Sequence, residues 1–243
     1  MRVFQQPAYT LLNRPYSETS WITEVFTRDF GRVGLMAKGA RRQKSKLKGA
    51  LQAFQPILVS WSGKGEVPTL TSAEIDLNGF DLFSQDLRGD ALVCGFYCNE
   101  LLVNLLHRHD PHCELYDTYH KTVLALYGLE TNLEIAETLR AFEQVVMKET
   151  GYEVSFLLES DGKTLIDDDA FYRFQAGMGF VRLVKQEINS VNGRVIKSLH
   201  GFSADDNPDS SQAKLLMREV LAQTLGKKRI VSRDLFFPRR HQD

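Results

Sequence analysis

Residues 38–48 read Lys-Gly-Ala-Arg-Arg-Gln-Lys-Ser-Lys-Leu-Lys, six cations and no carboxylate within eleven residues. Like charges spaced this closely repel one another unless anions neutralise them, and each neutralised phosphate releases condensed counterions. The run can therefore bind a polyanion without reading its sequence, through Lys38, Arg41, Arg42, Lys44, Lys46 and Lys48. Arg32 and Lys64 are nearby candidates for the same role. Lys227, Lys228, Arg229, Arg239 and Arg240 form a second basic group and a candidate second phosphate surface. A solvated loop would carry the same residue types, so a basic run does not by itself decide between the two.

Other groups could do different chemistry. His107, His109, His112 and Cys113 lie within seven residues. Their spacing is not that of a zinc ribbon or finger, since the chain has no Cys-x2-Cys pair. A polar helix end, with His107 and His109 near its C-terminal dipole, accounts for them better. Asp167-Asp168-Asp169 could hold magnesium for two-metal chemistry, but such sites draw acids from separate elements, whereas consecutive residues point in different directions. A solvated acidic turn is the simpler reading. Neither a Gly-x4-Gly-Lys-Ser/Thr phosphate loop nor a nucleophile elbow is present. The expectation is a non-enzymatic protein with no cofactor and no metal.

Charge is unevenly distributed along the chain. Residues 1–80 hold 11 Lys and Arg against 6 Asp and Glu, residues 81–212 hold 11 against 22, and residues 213–243 hold 8 against 3. The formal net charge of -1 thus averages a basic front, an acidic centre and a basic tail. This asymmetry points to nucleic-acid contact at particular surfaces, away from the acidic centre.

At 243 residues and 43% hydrophobic content, the chain can bury a sizeable core and reads as two domains. No stretch approaches the roughly 18 apolar residues that span a bilayer, and the first residues lack an apolar signal core. A cytoplasmic, nucleoid-associated location without membrane contact is expected. Three cysteines, Cys94, Cys98 and Cys113, are odd in number and lie in apolar or helical surroundings, against a disulfide framework.

These groups need elements to position them. Segments near Ala8–Asn13, Trp21–Arg28, Val33–Lys38, Ile57–Trp61 and Thr69–Leu77 read as strands, with turns at Asp29-Phe30-Gly31 and Ser62-Gly63-Lys64-Gly65. Five short strands suit an OB-type barrel, and the basic run falls between the third and fourth. Gly39 and Gly49 bracket it, as for a mobile arm. Tyr9, Tyr16, Trp21, Phe26, Phe30, Phe54 and Trp61 interleave with the cations and could stack on bases, although the barrel interior needs most of them and leaves at most one or two for the surface. Helical spacing then runs from Leu87 to His109, from Glu114 to Tyr127 and from Asn132 to Glu149, with Pro111 as a stop and Gly128 and Gly151 past helix ends. Three such helices make a bundle. Residues 152–184 return to strand-like runs, and Gln212–Leu225 reads as a final helix after a polar linker at Asp205–Ser211. The expected fold is α+β: an OB domain over residues 1–80, then a helical domain over 81–243. That second domain divides into helices (81–151), an insert (152–184) and a C-terminal helix with a basic tail (185–243).

Several segments resemble the RecO family of DNA repair proteins. They are Arg14-Pro15-Tyr16-Ser17-Glu18-Thr19-Ser20, Val25-Phe26-Thr27, Gly31-Arg32-Val33, Ala37-Lys38-Gly39-Ala40-Arg41 and Leu47-Lys48-Gly49-Ala50-Leu51-Gln52 with Pro56. Further likeness comes from Asn99-Glu100-Leu101-Leu102, Leu139-Arg140-Ala141-Phe142-Glu143, Gly151-Tyr152 and Ser232-Arg233-Asp234-Leu235-Phe236. The resemblance implies a recombination mediator that binds single- and double-stranded DNA and anneals complementary strands. It also implies work with RecR to load the RecA recombinase onto DNA coated by single-stranded-DNA-binding protein. The acidic, phenylalanine-ended tail of that coating protein would dock on the helical domain. A pocket of Leu139 and Phe142 with Arg140 at its edge suits such a peptide; an ordinary ion pair of Arg140 with Glu137 or Glu143 is the alternative. Many members carry a zinc-bearing insert after the Gly-Tyr, but residues 152–184 contain no cysteine, which implies the metal-free branch. An RNA-binding or ribosome-associated OB protein remains the competing reading, because a fold does not choose its ligand.

Overall fold

The computed structural model describes residues 1–76, 87–128, 131–200, 210–226, 228 and 230–232, with the backbone alone for residues 132, 133 and 210. Five strands come first: β1 (Arg2–Pro15), β2 (Trp21–Thr27), β3 (Gly31–Ala37), β4 (Pro56–Ser62) and β5 (Thr69–Ile75), with a short helix α1 (Lys46–Ala50) before β4. β1 is long enough to pair with two neighbours, from Arg2 opposite Ser62 on β4 to Pro15 opposite Trp21 on β2. A single parallel pair, Met36 opposite Thr69, joins β3 to β5 and closes the ring in the order β1-β2-β3-β5-β4. The five-stranded architecture expected from the spacing of apolar runs is therefore present.

Period-two alternation sorts the strand residues. Val25, Val33, Leu35, Ile57, Val59 and Trp61 belong to one cluster of fully or nearly buried side chains. Their neighbours Tyr9 and Phe26 are also buried, but against a helix: Tyr9 meets Tyr119 edge to face at 5.1 Å, and Phe26 meets Tyr116 at 5.5 Å. Burial on both faces explains why five consecutive residues of β2, Thr23 to Thr27, are buried.

The covering helices are α2 (Gly89–Leu105) and α3 (Cys113–Gly128). Asn99 of α2 donates to the Leu11 carbonyl at 3.1 Å, next to a register shift in β1, and accepts from the Tyr119 hydroxyl. The Tyr9 hydroxyl lies 2.7 Å from His120 Nδ1. Burial pushes the Tyr9 and Tyr119 hydroxyls far above the ordinary tyrosine range and draws His120 down, so all three stay neutral near pH 7. The helix α2 stops well short of Pro111. The backbone beyond it joins the barrel, where His109 N–H donates to the Arg32 carbonyl at 2.9 Å.

Gly31 begins β3 with φ of +65°, and a Cβ there would sit 1.9 Å from the Asp110 carbonyl oxygen. Gly31→Ala should therefore lower stability by about 2 kcal/mol, from left-handed backbone and overpacking together. Urea denaturation will measure it; a loss below about 0.5 kcal/mol would mean that the 106–112 segment yields freely.

The packing groups residues 1–129 and 230–243 as one unit and 130–229 as another. The barrel, α2 and α3 share the first unit, whereas the sequence division at residue 80 follows the change from strands to helices. The second unit holds α4 (Asn132–Glu149), an antiparallel hairpin β6 (Phe171–Gln175) and β7 (Gly179–Leu183), and β8 (Val191–Asn192) on the far side of β6. Helices α5 (Gly193–Lys197) and α6 (Ser210–Leu225) complete it. Thr131 and Glu134 form a reciprocal capping box that starts α4, and Gly151 past its end has φ of +79°. Phe142, Val146, Tyr172, Phe180, Leu199 and Met217 are among its fully buried residues.

Candidate nucleic-acid interface

Three loops leave the barrel at one end. The last residue of β3 pairs with the first of β2, Ala37 with Trp21, and Met36 pairs with the first residue of β5. The β1–β2 turn (16–20), the basic segment after β3 and the β4–β5 turn (63–68) therefore meet. Arg41 ties the first two together: its N–H donates to the Thr19 carbonyl at 3.0 Å and its guanidinium to the Ser17 carbonyl. Met36 N–H reaches the Pro68 carbonyl at 2.9 Å and ties in the third.

All six cations of the run, and Lys64 in the third loop, are exposed. Among the described residues none of the seven forms an ion pair. The run is not a free arm, contrary to the expectation drawn from its bracketing glycines. Arg42 N–H donates to Gly39, Ser45 to Arg42 and Lys48 to Ser45, each at 3.1 to 3.2 Å, and α1 follows. Ala40 and Leu51 are fully buried in the barrel core with Leu47 packed beside them, which pins the segment at both ends and leaves the intervening cations facing water. Such a fixed array loses less entropy on meeting a phosphate chain than a flexible one would.

Arg32 stands apart. Its guanidinium lies 3.7 Å from the Glu24 carboxylate, 3% exposed, and donates to the Val103 carbonyl on α2. Arg108 grips the same carboxylate, and burial lowers the Arg32 pKa. The structure thus uses Arg32 to join barrel and helix and does not bring it to the exposed array. In the second basic group, Lys228 is exposed, while Lys227, Arg229, Arg239 and Arg240 lie outside the described residues.

Of the seven interleaved rings, Tyr9, Phe26, Phe54 and Trp61 are buried, and Trp21 and Phe30 are partly covered. Tyr16 alone is exposed, at 63%, in the loop that Arg41 holds. A stacking ring and an array of cations at one mouth of a small barrel suit a single strand. Sequence reading missed Phe4, which is 68% exposed with the Arg2 guanidinium 5.7 Å from its ring centre. The signal available was a lone aromatic between Arg2 and two glutamines, ahead of the segment read as the first strand.

The other candidates resolve into ion pairs. Asp167 meets Arg182 at 2.9 Å, Asp168 meets Lys197 at 2.7 Å and Asp169 meets Arg194 at 2.6 Å, so the three carboxylates face three different cations. The Asp169 N–H, with Arg182, holds the Asp167 carboxyl below the usual carboxylate range. His112 lies 3.4 Å from Asp110, and Cys113 donates to the Arg28 carbonyl, so these two turn to separate partners. No group of three metal-ligating side chains occurs among the described residues, and no helix there is long and apolar enough to cross a membrane. Leu139 and Phe142 are buried on α4. Arg140 is only 6% exposed and pairs with Glu143, which is 0% exposed; this pair is buried, unlike the surface pair expected as the alternative to a peptide pocket.

Comparison with known proteins agrees with the resemblance read from the motifs. Residues 1–77 match the family described as Recombination protein O N terminal, and residues 87–233 match Recombination protein O C terminal. Similar proteins named DNA repair protein RecO include one from Dechloromonas aromatica (strain RCB), 42% identical over 238 residues that cover 97% of this chain and 96% of that protein. Another from Coxiella burnetii (strain CbuG_Q212) is 38% identical over 97% of this chain and 99% of its own length. One from Burkholderia lata is 41% identical over 96% of this chain and 82% of its own. On two family matches that together span most of its length, and on relatives of this identity, the chain belongs to the recombination protein O family of DNA repair proteins.

Proposed function

We propose that this chain is a non-enzymatic recombination mediator that binds single- and double-stranded DNA at the loop end of its barrel and anneals complementary strands. With RecR it loads the RecA recombinase onto DNA coated by single-stranded-DNA-binding protein, whose C-terminal tail docks on the second unit near Leu139, Arg140 and Phe142. The observation that carries the DNA-binding part is the array of Lys38, Arg41, Arg42, Lys44, Lys46, Lys48 and Lys64, all exposed, around one mouth of a five-stranded ring. Arg32 is left out of the contact set because its guanidinium is already engaged with Glu24 and Val103. Lys227, Lys228, Arg229, Arg239 and Arg240 are proposed as the second phosphate surface that annealing uses.

Annealing on this reading asks the protein only to neutralise and juxtapose two polyanions, so no bond is made or broken. Annealing of complementary oligonucleotides, followed by a fluorescent duplex dye, should run at the same rate with chelator and without nucleotide. Abolition by chelator, or an absolute need for ATP, would refute it. The competing RNA-binding role predicts that RNA displaces single-stranded DNA of equal length at lower concentration, which a competition titration decides.

A further inference from the structure

Phe4 sits where a strand residue seldom places a large ring. The first strand shifts register between Val3 and Gln6, and Gln5 between them has φ of 45°, a left-handed backbone that non-glycine residues rarely adopt. Gln5 N–H donates to the Ser60 hydroxyl at 3.0 Å, which holds the irregularity in place. Gln6 returns to the interior at 6% exposed, while Phe4 is left in water. Strained backbone that exposes an aromatic side chain points to use of that side chain.

Its surroundings name the user. The Arg2 guanidinium lies 5.7 Å from the ring centre, a cation–π distance, and Arg2 is itself exposed. Ser62 stands opposite Arg2, and Thr69 stands opposite Ser62, so the wall beside the ring carries small hydroxyl side chains. The β4–β5 loop with Lys64 begins there, where Gly63 N–H donates to the Met1 carbonyl at 3.1 Å. A flat ring, a guanidinium, hydroxyls and an ammonium together match the base, phosphate and sugar of an unpaired nucleotide. A protein partner would instead bury the ring under its own apolar side chains, and Phe4→Ala would then leave oligo(dT) affinity as it is.

We infer that Phe4, with Arg2 over its ring and Lys64 in the adjoining loop, forms a base-stacking subsite for single-stranded nucleic acid. This rests on the DNA-binding reading above and extends it from the basic segment across the barrel end to the first strand. Bases inside a duplex are already stacked on one another, so the subsite discriminates single strands from duplex.

The test compares the full chain with Phe4→Ala and Phe4→Trp, using a dye-labelled oligo(dT) and a duplex of equal length, each titrated across a range of salt. Phe4→Ala should weaken oligo(dT) binding about tenfold, leave duplex affinity unchanged and leave the salt slope unchanged, because stacking releases no counterions. Phe4→Trp should bind as tightly as the parent, and its added indole fluorescence should be quenched by oligo(dT). Phe4 is exposed, so equal thermal midpoints for the three proteins show that the fold is not what changed. Equal oligo(dT) affinity for parent and Phe4→Ala would overturn the subsite and leave the DNA-binding reading standing, as would equal weakening for oligo(dT) and duplex. No binding of either probe by the parent would remove that reading and the subsite together.

Discussion

Replacing Arg42, Lys44 and Lys46 together by Gln is expected to weaken single-strand binding about 100-fold near 0.1 M salt and to flatten the log–log salt slope by about 2. Each phosphate contact to a single strand contributes roughly 0.7 to that slope, so three contacts account for both figures. These three are the right choice because their side chains are exposed and carry no structural load, whereas Arg41 also holds the 16–20 loop through Ser17 and Thr19. Duplex binding should fall by a comparable factor, since the contacts are to the backbone and not to bases. Filter binding or anisotropy across a salt series will measure it, with urea midpoints confirming that the barrel is intact. Unchanged affinity and slope would make the segment an ordinary solvated loop.

The other large effect concerns the second unit. Glu143 is 0% exposed and its partner Arg140 only 6%, so removing either one takes a close opposite charge away from a buried group. Glu143→Ala and Arg140→Ala should each lower stability by about 3–5 kcal/mol, whereas the pair Arg140→Met with Glu143→Leu should recover most of that loss. Urea denaturation of the two single variants and the double variant completes the cycle. A cost under about 1 kcal/mol for both singles would mean that water reaches the pair and screens it.

This pair also changes how the proposed peptide site must be probed. An acidic tail that engages Arg140 has to displace Glu143, so a lost affinity in Arg140→Ala could come from a loosened fold. The stable double variant separates these effects. It should bind the tail peptide about tenfold more weakly or worse in calorimetry while keeping its affinity for naked DNA, and parent-like peptide affinity would move the tail elsewhere.

Helix α4 shows how much of the fold local chemistry specifies. Its bounds, Asn132–Glu149, coincide with the sequence reading because both end signals are local: a capping box of Thr131 and Glu134, three positions apart, and a glycine free to adopt positive φ. The end of α2 was less legible. Pro111 permits helix as far as residue 110, but the chain leaves it after Leu105 because His109 and Asp110 pack on Arg32 and Gly31, far away in sequence. Likewise the early half of β1 was unread, since Gln5, Gln6 and Pro7 break the alternation that marks a strand and only pairing with β4 makes one of them.

The cations divide in the same way. That residues 38–48 carry six positive charges, with apolar Ala40 and Leu47 among them and Leu51 just after, is determined by the sequence alone, because both are properties of neighbours along the chain. Arg32 has the same charge and lies six residues before the run, yet it faces Glu24 on the adjacent strand, which Arg108 also grips from 84 residues away. The ring positions of Tyr16 and Phe4 on the outside, and of Tyr9 and Phe26 beneath α3, were decided at the same level. Whether a side chain meets water, a carboxylate or another ring depends on which segments closure of the barrel and docking of the helices bring across from it, and those contacts exist only in the tertiary structure.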